Sequence, residues 1–184
     1  ERMHAMFSAL GFGRPTGIEL PGEVGGILRD VEKWSGLALA STSIGQSVAV
    51  TAIQLVRAIG AVAADGILRQ PHIVRSMSSD SAPPEEVAST PACETMRNLM
   101  VRVVEKGTGI LAGVDGFSIA GKTGTAQKAI PGRGYVDGKY TSLFGGIVTA
   151  ERPGYVVLVV LDEVKTAPVG GGSTAGPIFH DAVS

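Results

Sequence analysis

The residues best equipped for chemistry lie between positions 116 and 125. Gly116 to Thr123 fits the written phosphate-loop pattern GxxxxGK[ST], and Val159 to Asp162 reads like the apolar strand and aspartate of an NTPase. A phosphate loop holds its anion with the N–H groups of a Gly-rich turn and of a helix N-terminus, so its lysine must open a helix. Here Gly124, Pro131, Gly132 and Gly134 follow Lys122 too closely for a stable helix. Phe117 to Ala120 also suits a strand better than a loop. On a strand, Lys122 and Gly124 share one face. Lys122 then supplies a fixed cation beside a cleft, and Thr123 and Thr125 supply hydroxyls for a carboxylate. Gly124 allows close approach to the backbone, and the Thr125 N–H can serve as an oxyanion donor. The same four residues also suit an ordinary edge strand, with lysine as gatekeeper and threonine for β-propensity.

Other tempting groups have plainer readings. Ser173 and Thr174 follow a glycine run, where a hydroxyl suits a helix N-cap better than a nucleophile. Asp162 and Glu163 read as the polar end of a buried strand, without a partner carboxylate for acid–base work. His4, His72 and His180 share no ligand spacing, and Cys93 alone can form neither an internal disulfide nor a thiolate cluster. No metal or cofactor is expected.

The elements that must position Lys122 follow from periodicity. Met3, Met6, Phe7 and Leu10 predict a short helix starting at Glu1 without a cap. Gly11 to Gly17 and Gly22 to Gly26 read as turn-rich loops that packing must hold. Thr51 to Ala64 predicts a helix with Thr51 as cap and Gly66 as stop, apolar around a wide face and therefore expected to be buried. Ser76 to Ser89 reads as an exposed connection. Thr90 and Pro91 predict a cap and first turn for a helix ending at Gly107. The last third changes period: a strand through Ile119 into Thr125, a turn over Pro131 to Gly134, then strands over Tyr140 to Thr149 and Tyr155 to Leu161. After Gly170 to Gly172 comes a closing helix, Ser173 to Val183. Helices, then a β-meander, then a helix predict an α+β fold with helices packed on the faces of an antiparallel sheet.

Composition narrows the function classes. The 184 residues are 44% hydrophobic and 18% charged, with 16 Lys plus Arg against 17 Asp plus Glu. That composition argues against disorder, and a net charge of −1 offers no basic surplus for nucleic acid. The longest strongly apolar run, Tyr155 to Leu161, is far below the roughly 20 residues of a membrane-spanning helix.

Longer stretches carry a more specific signal. Gly11 to Glu23, Ala40 to Ser47, Glu105 to Gly109, Ala120 to Gln127, Val159 to Glu163 and Gly170 to Phe179 resemble, in order, the class B penicillin-binding proteins, the peptidoglycan D,D-transpeptidases. The resemblance implies a serine transpeptidase fold. It also implies an active site in which the Ser of S-x-x-K attacks the stem peptide, S-x-N assists and K-T-G closes the cleft. Lys122, Thr123 and Gly124 match that third motif. By the same resemblance, Thr123 and Thr125 bind the terminal carboxylate of a stem peptide or a β-lactam, and the Thr125 N–H is an oxyanion donor. One departure is Pro168-Val169 before the glycine run, where the family often has an aromatic wall.

Two motifs are missing. None of the six lysines has a serine three positions before it, and two residues before the single asparagine, Asn98, stands Met96. The chain is therefore expected to be the C-terminal part of one transpeptidase domain spanning residues 1–184. It would need an upstream half for activity, its membrane anchor would lie upstream, and it would work at the extracytoplasmic (periplasmic) face of the bacterial cytoplasmic membrane. Lost cover on α-helical and sheet surfaces predicts a homodimer or swapped assembly for the isolated chain. The rival readings are a non-catalytic scaffold of the same fold in a cell-wall complex and, further off, the NTPase.

Overall fold

The computed structural model describes residues 1–74, 82–130, 132, 134–165 and 168–184. They form two compact units, Glu1–Thr90 and Pro91–Ser184.

The first unit contains helices α1 (Arg2–Ala9), α2 (Ala38–Ser43) and α3 (Ala52–Ala63), and a small sheet of β1 (Ile67–Leu68) against β2 (Glu85–Glu86). Thr51 caps α3 through a reciprocal capping box. The Thr51 N–H donates to Gln54 Oε1 at 2.9 Å, and the Gln54 N–H donates to Thr51 Oγ1 at 3.2 Å. The helix stops as expected: Asp65 and Gly66 both take positive φ, and a Cβ on Gly66 would overlap the Ala88 carbonyl. The α3 apolar face differs from the expected burial. Gln54, Ala58 and Ala61 are buried, whereas Ile53, Val56 and Ile59 remain half-exposed.

The glycine-rich loops are held by hydrogen bonds, not by packing alone. The Gln54 side chain, 1% exposed, donates from Nε2 to the carbonyls of Arg14 (2.9 Å) and Gly25 (2.8 Å), tying both loops to α3. Glu23 accepts from the Thr16 N–H at 2.7 Å and the Gly17 N–H at 3.0 Å. Desolvation pushes the Glu23 pKa up, but the Thr16 and Gly17 donors more than offset it, so the carboxyl lies below its ordinary value. A polar clamp therefore does what the apolar content of these loops could not. Trp34 is a packing residue, edge-on to His4 at 6.1 Å, its indole N–H donating to the Arg29 carbonyl.

The connection expected over Ser76 to Ser89 contains β2, whose Glu85 and Glu86 carry no strand signal. Pairing with β1 makes them a strand. Positions 76–81 of that connection lie outside the described residues.

The second unit holds α4 (Thr90–Lys106, from Pro91 on), the meander β3 (Ile119–Ile130), β4 (Gly134–Val148) and β5 (Tyr155–Leu161), and α5 (Gly176–Val183). The antiparallel order β3-β4-β5 is the one predicted. Thr90 lies inside α4 and not at its cap. Cys93 is buried on this helix at 2% exposure. The second strand starts at Gly134 instead of Tyr140. Asp137, Gly138 and Lys139 hide it in sequence, and the pairing resumes beyond a bulge as Ala129 opposite Tyr135. Of the predicted turn, positions 131 and 133 lie outside the described residues.

The closing helix is also split. Gly171–Ala175 forms one π-helical turn before α5 begins. Ser173 does not cap it: its hydroxyl donates to the carbonyls of Pro168 and Gly170 at 2.7 and 3.2 Å.

One sheet face carries the core. Val104, Ala112, Ile119, Phe144, Val148, Ala175 and Phe179 cluster there, with Phe144 and Phe179 edge-to-face at 4.8 Å. Glycines make room for the rings. A Cβ on Gly121 would overlap the Phe144 ring, and one on Gly146 would stand 2.6 Å from Phe179.

Candidate functional site: the open edge of β3

The strand register decides where each motif atom points. β3 is the outer strand, so one of its edges is unpaired. In β4, the carbonyls of Tyr140 and Val148 accept from Val164 and Gly154, so the even-numbered residues turn their backbone groups toward the β5 side. The odd-numbered residues, Leu143 and Gly145, therefore bond β3 through their partners Gly124 and Lys122. Thr123 and Thr125 are left with backbone N–H and C=O on the open edge. Lys122 agrees with this assignment: its side chain curls over the edge and donates from Nζ to the Thr123 carbonyl at 2.8 Å.

Side chains alternate across the sheet. Thr123 and Thr125 stand on the face of their partners Phe144 and Ser142, beneath the Gly171–Ala175 turn. The Thr125 hydroxyl accepts from the Gly171 N–H at 3.1 Å, and Thr174 donates to the buried Ser142 hydroxyl at 2.7 Å. Lys122 and Gly124 share the opposite face, as expected. Beside the ligand-approach role read for Gly124 stands a packing reason: a Cβ there would lie 2.8 Å from two Leu143 side-chain carbons. The glycine run matters for the same reason, because a Cβ on Gly171 would overlap the Leu143 carbonyl.

Lys122 Nζ also lies 3.3 Å from Thr123 Oγ1. Among the described residues no carboxylate comes within ion-pair distance of Lys122. The edge therefore gathers one uncompensated cation, the Thr123 hydroxyl and the outward N–H of Thr125, a set of donors suited to an anionic group and an adjoining carbonyl oxygen. No helix begins at Lys122, which lies inside a 12-residue strand, so the phosphate-loop reading fails on geometry.

One participant escaped the sequence reading. The Thr108 hydroxyl lies 2.8 Å from that of Thr123. Its sequence signal is the Gly107-Thr108-Gly109 turn, which lies within the Glu105 to Gly109 stretch. The other candidates stay apart from the edge. Asp162 and Glu163 sit in ion pairs with Lys128 at 2.8 and 3.2 Å. A charged groove beside α4, lined by Glu94, Arg97, Arg102 and Glu151 among others, does not include Lys122. No group of three or more metal-ligating side chains occurs among the described residues, and no helix there is long and apolar enough to cross a membrane.

Within this fold, the open edge of the meander presents Lys-Thr-Gly-Thr, beside a glycine-rich turn that leads into the last helix. All of residues 1–184 match the family described as the penicillin binding protein transpeptidase domain, and the chain belongs to that family. It is 36% identical over 198 residues to penicillin-binding protein PbpB of Mycobacterium tuberculosis, covering 98% of this chain and 29% of that protein. It is 35% identical over 187 residues to the probable peptidoglycan D,D-transpeptidase PenA of Neisseria flavescens, covering 100% of this chain and 46% of the relative. The apo crystal structure of penicillin binding protein 3 from M. tuberculosis superposes with a TM-score of 0.88 at 34% identity, over 98% of this chain and 44% of that one. The chain thus spans less than half the length of each.

Proposed function

We propose that this chain is the C-terminal part of a peptidoglycan D,D-transpeptidase domain and supplies the third wall of its acyl-transfer site. Both compact units are read as parts of that one domain. The observation that carries the proposal is the open edge of β3, where Lys122, Thr123 and the Thr125 N–H converge with no neutralising carboxylate among the described residues.

In the proposed reaction a serine hydroxyl, absent from S-x-x-K form in these 184 residues, attacks the penultimate D-alanyl carbonyl of a stem peptide. The terminal D-alanine leaves with the proton, and an amine of a second stem peptide then takes the acyl group from the serine ester. Lys122 sets the positive potential of the site and takes part in proton management. Thr123 and Thr125 hold the substrate's terminal carboxylate, while the Thr125 N–H donates to the oxyanion. A β-lactam carries the same carboxylate beside its strained carbonyl and stops at the ester. The partners of the site are the stem peptide, the β-lactam and the upstream half of the domain. The location that follows is the extracytoplasmic side of a bacterial envelope.

Fluorescent penicillin tests the reading. The complete protein takes up a covalent, serine-linked label, and the isolated 184-residue chain takes up none. A label on the isolated chain would refute the division of labour. A complete protein that stays unlabelled would be a non-catalytic scaffold instead. For the isolated chain, self-association follows from the half-exposed apolar face of α3, and sedimentation over a range of concentrations reads it directly.

A further inference from the structure

Thr108 is outside the K-T-G strand, yet its hydroxyl lies 2.8 Å from the Thr123 hydroxyl, closer than Lys122 Nζ at 3.3 Å. We propose that Thr108 is a positioning residue: it donates into Thr123 Oγ1 and so turns the Thr123 hydroxyl proton outward, toward the anionic group of a ligand. This rests on the reading of Thr123 as a carboxylate-binding residue.

A hydroxyl has one proton and two lone pairs. At Thr123 one lone pair faces Lys122 Nζ at 3.3 Å, and a lysine can only donate. Thr108 Oγ1, 2.8 Å away, can donate or accept. A carboxylate can only accept. When one occupies the edge, the Thr123 proton goes to it, and the second lone pair of Thr123 is free for the Thr108 proton. Every bonding position on Thr123 is then used, and each donation polarises the next. Without Thr108, that lone pair is left to water and the rotor is less constrained.

The turn around Thr108 is built to hold it there. Gly107 and Gly109 both donate their N–H to the Val103 carbonyl, at 3.1 and 2.9 Å, wrapping the chain tightly over the end of α4. A Cβ at Gly107 would press on the Val103 backbone at 2.9 Å. On the other side a Cβ on Gly172 would overlap the Thr108 carbonyl, so the glycine run packs directly against it. The short segment Gly107-Thr108-Gly109 thus carries a hydroxyl on a backbone confined from both sides.

The test measures acylation of the complete protein by benzylpenicillin, with the rate constant separated into binding and chemical steps, together with its methyl ester. An ordinary hydrogen bond is worth about a two- to tenfold change in an equilibrium constant. Thr108→Val is expected to weaken acylation about three- to tenfold, mostly in binding, and to shrink the preference for the acid over the ester. Thr108→Ser should stay within about twofold of the parent on the same scale. In a Thr123→Val background, Thr108→Val should add almost nothing. Melting curves check each fold, and Thr108→Ala replaces any valine variant that fails to fold. The proposal is overturned if Thr108→Val is silent while Thr123→Val weakens acylation, if its effect persists without the Thr123 hydroxyl, or if serine fails to rescue. Should Thr123→Val itself change nothing, the carboxylate role of Thr123 fails, and the role of Thr108 with it.

Discussion

Lys122 and Lys128 stand on the same strand, and their surroundings are opposite in kind. Lys128 is bonded to Asp162 at 2.8 Å and Glu163 at 3.2 Å, and Lys139 and Thr141 complete the cluster. Its hydrogen bonds to Asp162 and Glu163 raise its pKa, and those two carboxyls are lowered in return. Among the described residues, Lys122 bonds to the carbonyl and hydroxyl of Thr123 and to no carboxylate. A lysine whose charge is already answered staples β3 to the end of β5. A lysine left without a counter-charge on an open edge keeps its field for something that arrives from outside. The residue type is the same at both positions, so the neighbouring carboxylates make the difference.

Removing the charge on each side of this comparison should have very different consequences. Lys122→Ala in the complete protein is expected to reduce acylation by benzylpenicillin at least about a hundredfold, the scale of losing a group that manages a proton in the transition state. Giving Lys122 a counter-charge sharpens the contrast. Thr123→Asp would make its surroundings resemble those of Lys128, and acylation kinetics should show a loss of the same order, about a hundredfold, through repulsion of the substrate carboxylate.

Next in size is the platform that holds the edge straight. Phe179→Ala removes the ring packed on Phe144 beneath β3 and should cost about 3–5 kcal/mol in a denaturant titration of the complete protein. Gly121→Ala, one residue before Lys122, forces a methyl group into the Phe144 ring. It should destabilise by about 1–3 kcal/mol and slow acylation as well.

The smallest effects belong to the answered lysine. Lys128→Met is expected to leave acylation within about threefold and to lower the melting temperature slightly at low salt, with the difference shrinking as salt rises. Its pH dependence has a definite sign. Asp162 and Glu163 have folded-state pKa values below their ordinary ones, so the stabilisation they provide is present above the ordinary carboxylate range. It is lost as pH falls through the lowered values. Melting curves of parent and Lys128→Met should therefore converge in acid. A large acylation defect in Lys128→Met would erase the distinction between the two lysines.

How much of this was readable in advance varied with the kind of signal. The cap at Thr51, the stop at Gly66 and the β-meander all come from local pattern, and the structure has them; the reciprocal bond from Gln54 is what the structure adds. Long-range pairing hid the rest. Glu85 and Glu86 are a strand only because Ile67 and Leu68 offer partners, and Gly134 to Lys139 joins β4 only because Ala129 and Ile130 lie opposite. Thr108 was invisible as a site residue. Its relation to Thr123 spans 15 positions of chain and exists only where a helix end meets a strand edge.

The sequence by itself determined that Lys122 lies on a strand. Glycines and a proline closely following it exclude a helix, and local backbone preference needs no tertiary partner to act. It also contained, in ordered motifs along the chain, the family to which the protein belongs. Only the tertiary structure decided which edge of that strand is open, which of its two lysines is left uncompensated, and which distant hydroxyl stands beside Thr123. Those are properties of register and of packing between remote segments, and no stretch of neighbouring residues encodes them.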